Sequence, residues 1–304
     1  MIFAMPRVAM ATSRALPQLR EDDRLLLPAL SALGVDAVSA IWNDPAVDWA
    51  DFDGVIVRSI EDYYTHIAEF DEWLNALGDA GARVWNPISA LRWNSDKRYL
   101  LDMQKRNVEI VPTAVVSRDR VVDLAHVLRS NGWSKAVVKP AVGAMGQGTW
   151  LTETTTALGD QRQLMGMMMN GDVLVQPFLN EVAREGEFSF VFFGGEFSHA
   201  YRRVPKPGDY RTGLQFGGRS LSFEAPDAWI DTAEAVLGRL PQPMLYARLD
   251  FARLDNRLVL LELELIEASM GLRHDPGAAA HFAEHIAKAI RPRLGATARP
   301  LLGN

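Results

Sequence analysis

Cysteine is absent from the 304-residue chain. Disulfide frameworks, thiolate metal sites and cysteine nucleophiles are excluded in that one step. The absence fits a reducing compartment, and a cytoplasmic protein is the expectation. No apolar run approaches the length needed to span a bilayer, so no membrane partner is expected. Met1–Met10 is interrupted by Pro6 and Arg7 and offers no signal-peptide core. Surplus positive charge is missing too. The 32 Lys+Arg stand against 38 Asp+Glu, a formal net charge of -6, and the basic residues are scattered. Such a chain has no electrostatic footprint for nucleic acid or an anionic membrane. Nor is there a G-x-G-x-x-G after the first strand-like run, a Walker G-x-x-x-x-G-K-[ST] or a G-x-S-x-G elbow. Dinucleotide binding, P-loop chemistry and the common serine-hydrolase arrangement drop out with them.

What is present is a well-mixed globular composition, 48% hydrophobic and 23% charged, enough to build a core across the two or three domains that the length allows. There are no internal repeats and no low-complexity stretches. The early chain alternates apolar runs with amphipathic ones: strands at Val8–Thr12, Val35–Trp42, Gly54–Arg58 and Ala82–Trp85, helices at Asp22–Leu33 and Asp62–Leu77. That alternation predicts an α/β unit with a parallel sheet. After Asn86-Pro87 the pattern changes to a helix over Ser95–Arg106, a strand over Val108–Val116, a helix over Val121–Ser130 and a strand over Lys135–Lys139. Further on, Phe188–Phe193 and Glu196–Val204 flank Gly194-Gly195, and Leu245–Arg253 and Arg257–Ile266 flank Asp255-Asn256. Both read as β-hairpins. Helices are expected over Ala228–Leu240 and Ala278–Ile290.

Three groups of residues carry chemistry. Val137-Val138-Lys139-Pro140 precedes Gly143-Ala144-Met145-Gly146-Gln147-Gly148. A lysine at a strand end can meet phosphate, and clustered glycines let backbone N–H groups approach phosphate oxygens. The plain alternative is a surface lysine before a flexible loop. Next, Asp250 faces Glu262 and Glu264 across the second hairpin, with Leu261, Leu263 and Leu265 expected on the core face. Three such carboxylates suit Mg²⁺; the alternative is a solvated acidic face. Last, Leu174-Val175-Gln176-Pro177-Phe178-Leu179 has the form of an apolar strand end that can make an adenine slot.

Taken in order, these segments resemble the ATP-grasp superfamily of the glutathione-synthetase kind, from about Trp93 to the C-terminus. The segment before them is similar to that family's N-terminal domain. The resemblance implies an α/β chain: an ATP-grasp fold behind a Rossmann-like α/β domain. Residues 1–92 would form the substrate domain, 93–175 the central subdomain with the glycine loop, and 176–304 the C-terminal subdomain with the metal hairpin. It implies ATP binding by Lys97, Lys139, Gly143, Gly146, Gln176, Pro177, Phe178, Leu179 and Glu187, with Glu181 competing for the last role. Asp250, Glu262 and Glu264 would hold Mg²⁺, with Mn²⁺ as a substitute; Glu264 stands where the family's common pattern has Asn. Arg248, and one of Arg202, Arg203 and Lys206, would meet the phosphoryl group, and Arg203 is the residue assigned.

Val57-Arg58-Ser59 with Asp62-Tyr63-Tyr64, Phe193–Tyr201 and Glu262–His274 look like the branch containing D-cycloserine ligase. That likeness implies a small carboxylic or amino acid as partner, held by Arg58, Ser59, Glu267 and Arg273; His274 is set aside as a helix-entry residue. The activity implied is an ADP-forming carboxylate–amine ligation through an acyl phosphate, as in cyclising O-ureido-D-serine to D-cycloserine. An intermolecular dipeptide-type ligase, a phosphotransferase and a nucleotide sensor remain as other readings, and homodimerisation stays open.

Overall fold

The computed structural model describes residues 5–291. The first strands are β1 (Arg7–Thr12), β2 (Asp36–Ile41), β3 (Gly54–Ser59) and β4 (Val84–Trp85), which form a parallel sheet in the order β2-β1-β3-β4. Every residue of β3 is buried, as a strand covered on both faces requires. The helix expected over Asp22–Leu33 is two pieces, α1 (Glu21–Arg24) and α2 (Leu26–Ala32). Pro28 explains the break: it has no N–H for the Arg24 carbonyl four residues back, and its ring crowds that group. Helix α3 (Ile67–Asp79) follows a 3₁₀ turn over Tyr63–His66. Trp42, Phe70 and Trp73 pack between it and the sheet, with ring centroids 5.8–6.0 Å apart.

Two short helices come next, α4 (Ile88–Asn94) and α5 (Tyr99–Lys105). The start expected at Ser95 is instead the turn between them, which carries Lys97. A second sheet of β5 (Ala114–Val116), β6 (Lys135–Pro140), β7 (Trp150–Glu153) and β8 (Val173–Pro177) is antiparallel in the order β5-β8-β6-β7. Helices α6 (Leu124–Ser130) and α7 (Ala157–Met168) cover one face of it. After α8 (Asn180–Glu185) the chain builds a third sheet from β9 (Glu187–Phe193), β10 (Glu196–Val204), β11 (Arg219–Phe223), β12 (Tyr246–Leu254) and β13 (Arg257–Glu264), in the order β11-β10-β9-β12-β13. Helices α9 (Asp227–Leu237) and α10 (Ala278–Ile290) pack against it. Both hairpins form where expected. Gly194 and Gly195 take φ of +59° and +91°, and Asp255 and Asn256 take +48° and +62°, the positive values a tight two-residue turn needs.

The sheets place the module boundaries differently from the sequence. A cut at 175/176 would divide β8, which pairs with β6 through Pro177. The stretch from α4 to Ile110 packs with the third sheet: Ala90, Tyr99, Leu100, Met103 and Ile110 share a core with Phe188, Phe190 and Leu263. It thereby completes the free edge of β13. Asn94 donates to the Leu263 carbonyl at 2.9 Å and accepts from the Leu265 N–H at 2.9 Å, while Leu263 N–H donates to the Tyr99 hydroxyl. The Leu260 N–H donates to the Glu109 carbonyl, and the Val111 N–H donates to the Leu260 carbonyl. A strand held this firmly gives its outward side chains a fixed origin.

The first sheet is fastened to the third by Arg58. This side chain is fully buried, donates to Asp23 at 2.8 and 3.0 Å and to the Ala268 carbonyl at 2.6 Å, and lies over the Tyr246 ring. Ser59 donates to the other Asp23 oxygen at 2.8 Å. A buried pair contributes little net stability against apolar replacements, but breaking one side leaves a buried charge unmatched, at a cost of about 3–5 kcal/mol. Arg58→Ala should therefore lose about that much in urea unfolding. Arg58→Met combined with Asp23→Leu should recover most of it. Equal losses in the two variants would contradict this role.

Candidate active site

A cavity of about 610 Å³ opens where the three sheets meet. Its far end is apolar. Val111, Val137, Leu179, Val182 and Leu261 line it together with Gln176, Pro177 and Phe178. Leu261 departs from the alternation read in the sequence. The register of β12 and β13 slips between Asp250 and Phe251, so Glu262 faces Asp250 while Phe251 faces Leu260. The extra residue in this bulge turns Leu261 toward the cavity, beside Glu262. The Gln176 amide nitrogen donates to Thr113 Oγ1 at 2.9 Å. Phe178 has the Lys135 ammonium 4.6 Å from its ring centroid and meets the edge of Tyr210.

Two loops lie over this end. In the glycine loop, Gly146 and Gly148 take φ of +66° and +70°. The 205–218 segment reaches it: Gln215 donates to the Met145 carbonyl at 2.5 Å, and a Cβ on Gly146 would sit 3.1 Å from the Phe216 ring. Gly146 thus serves both a left-handed turn and a close approach. The second loop was not singled out in the sequence. Its only signal is a long run between strands studded with Pro205, Pro207, Gly208, Gly213, Gly217 and Gly218.

The middle of the cavity is charged. Glu262 and Glu264 line it, and the fully buried Asp250 behind them has a carboxylate oxygen within 4.8 Å of theirs. This set of hard oxygen donors fits a magnesium-like dication. Three cations meet the carboxylates. Lys97 pairs with Glu262. Arg203 on β10 donates to Asp250 and to Glu187, each at 2.6 Å, and Thr212 donates to Glu187 at 3.0 Å. Arg248 donates to Asp250 at 2.9 Å and lies 3.5 Å from Glu264. Lys139 lines the cavity and makes no ion pair among the described residues; burial lowers its pKa, with Glu262 opposing and Lys97 reinforcing the shift. An unmatched buried ammonium is well suited to an incoming phosphate. Of the competing candidates, Glu187 and Arg203 line the cavity, whereas Glu181, Arg202 and Lys206 do not. Strand alternation explains Arg202, since Tyr201 and Arg203 share the inward face.

The near end is built by Glu267, Ser269 and Arg273 together with Arg20 and Glu61. Arg20 donates to Glu61 at 2.8 Å and to the Glu267 carbonyl at 2.8 Å. Arg273 is half exposed at the rim, 3.8 Å from the buried Asp22. The structure does not bring Arg58 or Ser59 into the cavity. Both are committed to Asp23, and a guanidinium with no exposed surface cannot clamp a ligand. Arg20 and Glu61 were missed by the sequence reading. They follow the carboxyl ends of β1 and β3, where parallel sheets place ligand-facing residues, and that position is the signal they offered.

Crowded carboxylates cannot all stay charged. Burial, with Glu267 close by and Arg248 opposing, pushes Glu264 up to about 8, and Glu262 adds to the rise. Burial also raises Glu187 and Glu267, against Arg203 beside the first and Arg20 beside the second. Glu262 goes the other way: burial alone would raise it, but Lys97 and Lys139 hold it down at about 2. Glu264 therefore carries a proton near neutrality in the ion-free chain. A carboxyl whose pKa rises from 4.5 to about 8 on folding contributes stability below pH 4.5 and loses it as pH climbs through about 8. The cation-free chain should accordingly lose thermal stability over that window, and Glu264→Gln should flatten the slope. Parallel slopes for the two proteins would contradict this assignment.

Comparison with known proteins agrees with this geometry. Residues 8–86 match the family model of the D-cycloserine synthetase N-terminal domain, and residues 100–252 match the ATP-grasp domain of prokaryotic glutathione synthetase. The cycloserine biosynthesis protein DcsG of Streptomyces lavendulae is 30% identical over 280 residues, which cover 88% of this chain and 93% of that protein. A glutathione synthetase of Neisseria meningitidis is 26% identical over 202 residues, 66% of this chain and 61% of that one. The crystal structure of D-cycloserine synthetase superposes with a TM-score of 0.85 at 27% identity, over 94% of this chain and 100% of the other. Matched along nearly its whole length by one relative and through its middle by the second family model, the chain belongs to the ATP-grasp ligases of the glutathione-synthetase type and carries the N-terminal domain of the D-cycloserine synthetases.

Proposed function

We propose that the chain joins a carboxylate to an amine with ATP and Mg²⁺ through an acyl phosphate, and that both groups belong to one small amino acid, so that a ring closes. The observation that carries this reading is the near end of the cavity, where Arg20 and Arg273 stand with Glu61 and Glu267 around one small space continuous with the carboxylate cluster. Paired guanidinium and carboxylate groups match the two charges of an amino acid. Arg20 and Glu61 belong to the stretch matched by the N-terminal domain of the D-cycloserine synthetases.

In the proposed reaction a substrate carboxylate oxygen attacks the γ-phosphorus and ADP leaves. The substrate's internal nitrogen then attacks the acyl carbon and gives its proton to solvent, and phosphate departs with one of the original carboxylate oxygens. In O-ureido-D-serine this nitrogen is the one bonded to the side-chain oxygen, and water removes its carbamoyl group as ammonia and CO2. Lys97 and Lys139 hold the phosphates, and Arg203 and Arg248 face the charge that develops on the transferring group. Asp250, Glu262 and Glu264 would hold Mg²⁺, for which Mn²⁺ is a fair substitute. When bound, the ion supplies neutralisation of phosphate charge. Arg20 or Arg273 fixes the carboxylate, and Glu267 takes the amino group. With both ends held, the second step is unimolecular, and proximity removes much of its barrier.

O-ureido-D-serine with Mg-ATP is the direct substrate to try. ADP release together with the cyclised product by mass spectrometry is the expected result. Glu262→Gln should lower turnover by roughly 10²–10³-fold, the scale of losing one preorganised electrostatic group. ADP release only when two free amino acids are supplied together would overturn ring closure in favour of a dipeptide-type ligase.

A further inference from the structure

A second cluster of ligating side chains lies far from this cavity. His281 and His285 are one turn apart on α10, so their side chains stack on one face of the helix. Their Nε2 atoms are 3.1 Å apart. Glu196, the first residue of β10, brings a carboxylate oxygen to 4.0 Å from His281 Nε2 and 3.8 Å from His285 Nε2. Ligand atoms of the three residues all come within 4.8 Å of one another. The cluster sits at the Gly194-Gly195 end of β9. Glu187, at the cavity, begins that strand, some 20 Å away at about 3.3 Å per residue.

We propose that Glu196, His281 and His285 bind a divalent transition-metal ion of the zinc class, clipping α10 to the turn between β9 and β10. Four donors around tetrahedral zinc, each about 2.0–2.1 Å from the metal, lie roughly 3.3 Å from one another. The two nitrogens already have nearly that spacing. Glu196 is the exposed member, at 67%, and can close the remaining few tenths of an ångström by rotating about its own bonds. Two imidazoles and one carboxylate make a donor set suited to zinc, cobalt or nickel and ill suited to magnesium. A fourth position is left for water.

The surroundings prepare these residues for the role. Helix α10 buries Phe282, Ala283, Ile286 and Ile290 on one side, and Phe282 stacks on Phe193 with centroids 4.2 Å apart. The helix therefore cannot rotate the histidines away. Gly194 permits the close approach: a Cβ there would sit 2.1 Å from His285 Nδ1. The clip has mechanical reach. Helix α10 also packs against α2 and accepts Arg83 at the Ala289 and Ile290 carbonyls, both at 2.9 Å, so fixing it fastens the first sheet to the third.

The rival arrangement is a plain hydrogen bond between two neutral imidazoles, with Glu196 solvated. Cobalt(II) titration of the untagged, chelator-stripped full chain in excess Mg²⁺ separates the two, because Mg²⁺ occupies the carboxylate cluster of the cavity. The wild type should take up one cobalt ion with visible absorption bands, and zinc should displace it and raise the melting temperature. His281→Ala and Glu196→Gln, both on the solvent side, should fold normally and bind cobalt at least about tenfold more weakly, with the zinc-induced rise in melting temperature lost. Cobalt bound as tightly by His281→Ala as by the wild type, or no cobalt uptake by the wild type in excess Mg²⁺, would overturn the proposal.

Discussion

The mutual repulsion of Asp250, Glu262 and Glu264 is the constraint around which the rest of the site is arranged. Carboxylates that can bring their oxygens within 4.8 Å of one another in a partly closed cavity would drive the hairpin apart unless matched by positive charge or by protons. The match is drawn from across the chain. Lys97 comes from the α4–α5 turn, Lys139 from the second sheet, and Arg203 and Arg248 from the third. The second and third sheets contribute charge to a point that neither encloses alone. The cavity is thus also where the modules are held together electrostatically, and ligands that alter its charge should alter how the modules sit.

Local features were legible in the sequence, and long-range ones were not. Gly194-Gly195 and Asp255-Asn256 announce their hairpins because a two-residue turn demands positive φ, and few residues supply it. The alternation of Glu262 and Glu264 was readable for a similar reason, since side-chain direction in a strand is a local property. Leu261 broke that rule because a bulge depends on the partner strand's register, which no single segment encodes. The α1–α2 break was readable from Pro28 but was passed over for the apolar spacing around it.

Arg58 shows the deeper difficulty. A buried arginine and a ligand-binding arginine look alike in sequence; what separates them is a partner such as Asp23, thirty-five positions away. The same distance hid Arg20 and Glu61, which the folded chain brings to the near end of the cavity. The packing of the stretch around Asn94 and Tyr99 on the third sheet was not legible because these residues spend their polar groups on the edge of β13, a strand some 164–171 positions later. Resemblance to a family pointed to the candidate nucleotide and metal residues, and most of these line the cavity. Physical reading of the structure then redistributed the substrate end.

In the proposed reaction a substrate carboxylate is activated by direct phosphorylation within this cavity. Substrate labelled with ¹⁸O in its carboxylate tests this at the bond concerned. After turnover with unlabelled Mg-ATP, one labelled oxygen per product is expected in the released inorganic phosphate. Phosphate free of label, with the expelled oxygen recovered in AMP or in water, would contradict it.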